Sequence, residues 1–133
     1  MDLPITSITA AILAVLITAM SLGVSLRRQK LQVAVGHGDD HDLNRRIRAH
    51  ANAVEYLPLA LLLLGGMELN GVDDAMIHGF GITLLVSRLL HAWGLSRHAG
   101  TSIGRFAGTG LTLLLMVAMA VFAIAGFIQQ QAA

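Results

Sequence analysis

Three stretches of this chain, residues 5–26, 75–95 and 107–128, run for about twenty residues or more with scarcely a charge. That is the length of an α-helix that crosses the hydrocarbon of a bilayer, about 30 Å at 1.5 Å per residue. In lipid a backbone must satisfy its own hydrogen bonds, and an apolar run of this length does so as a helix, since a membrane-spanning strand needs only about ten residues. A fourth apolar run, 57–69, is too short to cross unless it borrows the polar residues before it, back to about Ala51. The composition agrees: 55% hydrophobic against 13% charged residues is too apolar for an ordinary soluble domain. The expectation is one all-α integral membrane domain over residues 1–133, a four-helix bundle with helices at roughly 5–27, 44–69, 74–96 and 105–129.

Charge sets the orientation. Eight of the nine Lys and Arg residues fall in two connecting regions. Arg27, Arg28, Lys30, Arg45, Arg46 and Arg48 lie between helices 1 and 2, and Arg97 and Arg105 between helices 3 and 4. The N-terminus, the 70–74 turn and the C-terminal tail carry none, so the positive-inside rule places both basic loops in the cytoplasm and both termini outside. Asp2 precedes the first apolar run and the basic residues follow it, the reverse of a secretory signal peptide, so helix 1 is expected to remain as an anchor. A net charge of +1 gives no reason to expect a nucleic acid partner. With no cysteine, the chain offers no thiolate ligand or cysteine nucleophile of its own.

Small residues four apart, Ala10, Ala14 and Thr18 on helix 1 and Gly104 and Gly108 on helix 4, are spaced for close helix contact in lipid. Asn70-Gly71 predicts a tight turn, with Asp73 or Asp74 capping helix 3. The loop sequence His37-Gly-Asp-Asp-His41-Asp has metal-ligand residue types, but a glycine-bearing loop does not fix ligand geometry, and no metal is expected.

Extending helix 2 back to Ala51 puts Asn52 and Glu55 in its first turns inside the membrane, with Arg48 at the boundary. At 3.6 residues per turn the three share a face. Arg88 lies roughly 10 Å below the cytoplasmic end of helix 3, at about the depth of Glu55. A charge there is costly without a partner or a wet cavity, so a Glu55–Arg88 pair is expected, joined by His91 one turn nearer the cytoplasm. One pair would suffice to hold two helices together; so many polar groups make a pocket. Pro58 is expected to kink the helix or free a carbonyl beside Glu55.

The string Arg48-Ala-His-Ala-Asn52-Ala-Val-Glu55-Tyr56-Leu-Pro58 resembles the helix 2 signature of the MAPEG family, the membrane-associated proteins in eicosanoid and glutathione metabolism. The four-helix layout matches over almost the whole chain, in the manner of a bacterial-type microsomal glutathione transferase-like member. The resemblance implies a homotrimer in a bacterial inner membrane that binds glutathione between subunits. It implies glutathione contacts from Arg48, Asn52, Glu55 and Tyr56 on helix 2, Arg28 at the end of helix 1, and Arg88 and His91 on helix 3. It also implies that Arg105, at the start of helix 4, stabilises the glutathione thiolate. Family enzymes often carry tyrosines where Leu95 and Thr109 stand here.

The reading is therefore a membrane-bound transferase, or peroxidase-like enzyme, joining glutathione to lipophilic electrophiles drawn from the lipid. Two rivals belong to other classes. One is a non-catalytic lipid-binding scaffold of the same fold, the other a small proton-coupled exporter in which Glu55 alternates between proton and cation.

Overall fold

The computed structural model describes residues 2–97 and 103–132. Its elements are α1 (Pro4–Leu31), α2 (His41–Leu69), α3 (Asp74–Arg97) and α4 (Ile103–Ala132). All four are long and apolar enough to cross a membrane. Large apolar side chains such as Val15, Leu62 and Leu114 stand exposed on the outer surface, as lipid-facing residues should.

The ends of α1 and α2 and the start of α3 have local causes. Pro4 opens α1, where its missing N–H is no loss. Gln32 closes it in the left-handed conformation at φ 57°, its amide returning to the carbonyls of Arg28 and Gln29. Asp40 caps α2 by accepting from the Leu43 amide at 2.6 Å. Asn70 and Gly71 make the expected turn, Gly71 at φ 73°, where only glycine is unstrained. Of the two candidate caps for α3, Asp73 does the work, taking the Ala75 and Met76 amides at 3.0 and 3.3 Å. α1 continues about a turn beyond position 27, so Arg27, Arg28 and Lys30 lie on the helix itself. α2 runs unbroken through Pro58.

α2 and α3 touch each other and both flanking helices, whereas α1 and α4 make no contact among the described residues. The core is the seam where Ile5, Leu13, Leu57, Leu64, Met67, Ile77, Leu84 and Met119 meet. Two crossings are tight because a side chain is missing. A Cβ on Gly108 of α4 would lie 2.6 Å from the Ser87 carbonyl and 2.8 Å from the His91 amide of α3. One on Gly81 would lie 2.8 Å from Thr9 Oγ1 of α1.

The stripe expected to pack α1 does not do so within the chain. Ala14 and Thr18 are exposed, and α1 instead buries Ile5, Thr6, Thr9 and Leu13. Small-residue spacing marks where close approach is possible, and here two of the residues that turn inward, Thr6 and Thr9, face Gly65 and Gly81.

Candidate functional site

Among the described residues, Arg88 is a buried arginine, 3% exposed. Its Nη1 donates to Asn52 Oδ1 of α2 at 3.0 Å, and its Nη2 to Thr112 Oγ1 and, at 3.4 Å, the Gly108 carbonyl of α4. Thr112 also meets Ser87 Oγ at 2.9 Å and donates to the Gly108 carbonyl. The guanidinium thus ties three helices together through neutral oxygens. No carboxylate pairs with it among the described residues, and its buried Nε has no acceptor. A guanidinium out of water keeps an unmet demand for negative charge when its partners are all neutral.

His91, one turn further along α3, is buried, with Nδ1 3.0 Å from Thr109 Oγ1 of α4. Thr109, standing where a family tyrosine is common, is therefore placed to hold an imidazole.

The expected Glu55–Arg88 pair is not formed. Glu55 is exposed and has no ion pair among the described residues. The reason is angular. The buried stripe of α2 is Ala53, Leu57, Ala60, Leu64 and Met67. At about 100° per residue, Asn52 lies on its flank, within reach of Arg88, while Glu55 is turned about 160° from its centre.

Arg48, Asn52 and Glu55 do share one flank of α2, as the spacing predicts, and Tyr56 lies between that flank and the buried stripe. Arg48 and Glu55 are exposed on it, and Asn52 and Tyr56 are half-buried. That flank is an edge of the chain, with Arg88 behind it. Arg28 is turned to other work, its Nη1 donating to the Ala34 carbonyl at 2.8 Å in the loop after α1. Arg105 lies in the first turn of α4, but its side chain, like that of Leu95, falls outside the described residues.

Other side chains make contacts that the sequence did not disclose. Thr112 follows Gly104 and Gly108 at the same four-residue spacing, so a helical stripe already pointed to it as facing α3. Arg27 bridges to Asp40 at 2.7 Å and reaches Asp42 at 3.5 Å, which fastens the end of α1 to the start of α2. The Arg27 guanidinium beside it, with the Leu43 amide, holds the Asp40 carboxyl below the usual carboxylate range. Asp40 and Asp42 of the 37–42 segment are used in this clamp, while His37 and Asp39 are exposed. No group of three or more metal-ligand side chains occurs among the described residues.

Comparison with known proteins adds family context. The family model described as "MAPEG family" matches residues 6–125. The inner membrane protein YecN of Escherichia coli K12 is 38% identical over 119 residues, covering 85% of this chain and 87% of that protein. YecN of Escherichia coli O6:H1 matches with the same identity and coverage.

Proposed function

The chain belongs to the MAPEG family, and from that premise we propose that it is a homotrimeric inner-membrane enzyme that conjugates glutathione to lipophilic electrophiles. The observation that carries this reading is the α2 edge. Arg48 and Glu55 stand exposed beside Asn52 and Tyr56, and directly behind Asn52 the buried Arg88 lacks a counter-anion. Uncovered ionisable groups at membrane depth call for a second chain and a polar ligand to face them.

Glutathione fits the donor set. Its two carboxylates suit Arg48 and the unsatisfied Arg88, its ammonium suits Glu55, and Asn52 can both donate and accept. When bound it supplies a thiol whose ionised form is the nucleophile. In this reading Arg48, Asn52 and Glu55 hold the ends of the tripeptide, and Arg105 stabilises negative charge on sulfur. His91, fixed by Thr109, keeps the pocket polar between Arg88 and the basic end of the bundle. The positive-inside rule places that end in the cytoplasm and both termini outside. A single tyrosine in the chain, with Leu95 and Thr109 at positions often tyrosine in the family, favours a second reading, a lipid-binding scaffold without turnover.

The two readings separate on Arg105→Ala assayed with a chromogenic electrophile. The enzyme reading expects turnover to fall by about 100-fold, the scale of losing one charge-stabilising donor, with glutathione affinity nearly unchanged. Arg48→Ala should do the opposite, raising KM while sparing kcat, because it binds ground state and transition state alike. Full turnover in Arg105→Ala removes that residue from the chemistry. No turnover in the unsubstituted protein leaves the scaffold.

A further inference from the structure

A second polar site lies away from the α2 edge. At the basic end of the bundle, α1, α2 and α3 border a half-open cavity of about 220 Å³ whose lining includes Ala19, Gly23, Asp42, Arg45, Arg46 and Ala92. Its walls are alanines and a methionine except on the α2 side, where two arginines and an aspartate border it. Gly23 leaves the room: a Cβ there would already touch Arg46 Nη1 at 3.4 Å.

The charges around it do not balance. Asp42 accepts from Arg46 at 2.9 Å and Arg45 at 3.2 Å, and Arg27 reaches it at 3.5 Å while bridging Asp40 at 2.7 Å. Three guanidinium groups share two carboxylates, one positive charge in excess. Donors are in excess too, since the buried Nε of Arg45 has no acceptor. A glycine-made space beside surplus guanidinium charge suits one compact oxyanion. Gly23 is four residues before Arg27 on α1, roughly 6 Å along the axis, so the cavity lies beside the basic boundary of the bundle.

We propose that this cavity binds a singly charged phosphate group, from either a phosphodiester lipid headgroup or a free phosphate, against Arg45 and Arg46. None of its lining residues belongs to the α2 edge, so the proposal stands or falls separately from glutathione binding.

The test is native mass spectrometry and thermal shift on the purified full chain in detergent, titrated in parallel with phosphatidylglycerol and with inorganic phosphate. Saturable binding of one ligand per chain is expected. Binding of phosphatidylglycerol unaffected by tens-of-millimolar phosphate identifies the lipid, and competition identifies the free anion. Arg45→Gln and Arg46→Gln should each weaken binding about tenfold or more, the scale of one charge-assisted hydrogen bond. Lys30→Gln, an exposed basic residue at the same end, should not. Gly23→Leu keeps every charge and fills the cavity, so it should also abolish binding, even if an arginine variant fails to fold. Binding of neither probe, or binding indifferent to Gly23→Leu and both arginine variants, overturns the proposal. So does binding lost in Arg48→Gln but kept in Arg45→Gln, which would move the anion to the α2 edge.

Discussion

Glu68, in the last turn of α2, accepts the amide protons of Ile5 and Thr6 at 2.9 and 2.8 Å, the task of a capping residue. The residue before α1, Leu3, has no side chain that can do it. A carboxylate at a helix N-terminus satisfies free donors and opposes the positive end of the helix dipole. Glu68→Gln keeps the shape, loses the charge and turns one acceptor into a donor. It should lower the unfolding free energy by about 1 kcal/mol in detergent, with Glu68→Ala lower still. Stability unchanged in both variants would mean that the α1 amides find water or lipid headgroups equally well. Sequence could not show this contact, because nothing local links positions 5 and 68. It did place Asn52 correctly on a face with Arg48, and Arg88 at its depth. It failed on which side chain meets Arg88, because two residues on one face of a helix can still point to different neighbours. Asn52 is turned toward α3, and Glu55, three residues on, toward the surface.

At the level of helices, apolar length alone located three of the four spans, and the polar start of α2 was the cost of making the fourth long enough. Boundaries moved where the ends depend on caps, as at α1, whose basic last turn is ended by Gln32 in the left-handed conformation. Small-residue spacing was a good guide for α4 and a poor one for α1. Gly108 packs backbone to backbone on α3, whereas Ala14 and Thr18 are exposed. Gly108→Ala should therefore destabilise the protein by about 1–3 kcal/mol, the cost of overpacking against immobile backbone. Gly110→Ala, two residues away with nothing within 4 Å, should be neutral or mildly stabilising. Thermal unfolding of the two variants side by side decides it. Equal effects would show that the α3–α4 crossing is looser than the 2.6 Å approach to the Ser87 carbonyl implies.

For the molecule as a whole, the distribution of basic residues is the feature most plainly written in the sequence, and it predicts orientation. A reporter fused after Ala133 that is active only in the cytoplasm should be silent; a bright one reverses the topology and puts the α2 edge on the wrong side for cytoplasmic glutathione. What a single chain cannot supply is a closed site. α1 and α4 stay apart, and the flank carrying Arg48 and Glu55 is open. Ionisable groups on an open flank at membrane depth are hard to reconcile with a lone bundle and easy to reconcile with a neighbouring copy across them. The central claim is that copies of this chain assemble around glutathione at that edge. Native mass spectrometry of the detergent-solubilised protein, titrated with glutathione, tests it most directly. The account predicts a three-chain mass that takes up glutathione saturably, with uptake weakened in Arg48→Ala and Asn52→Ala but not in Lys30→Gln. A clean monomer, or a trimer whose glutathione uptake is absent or indifferent to those edge residues, would contradict it.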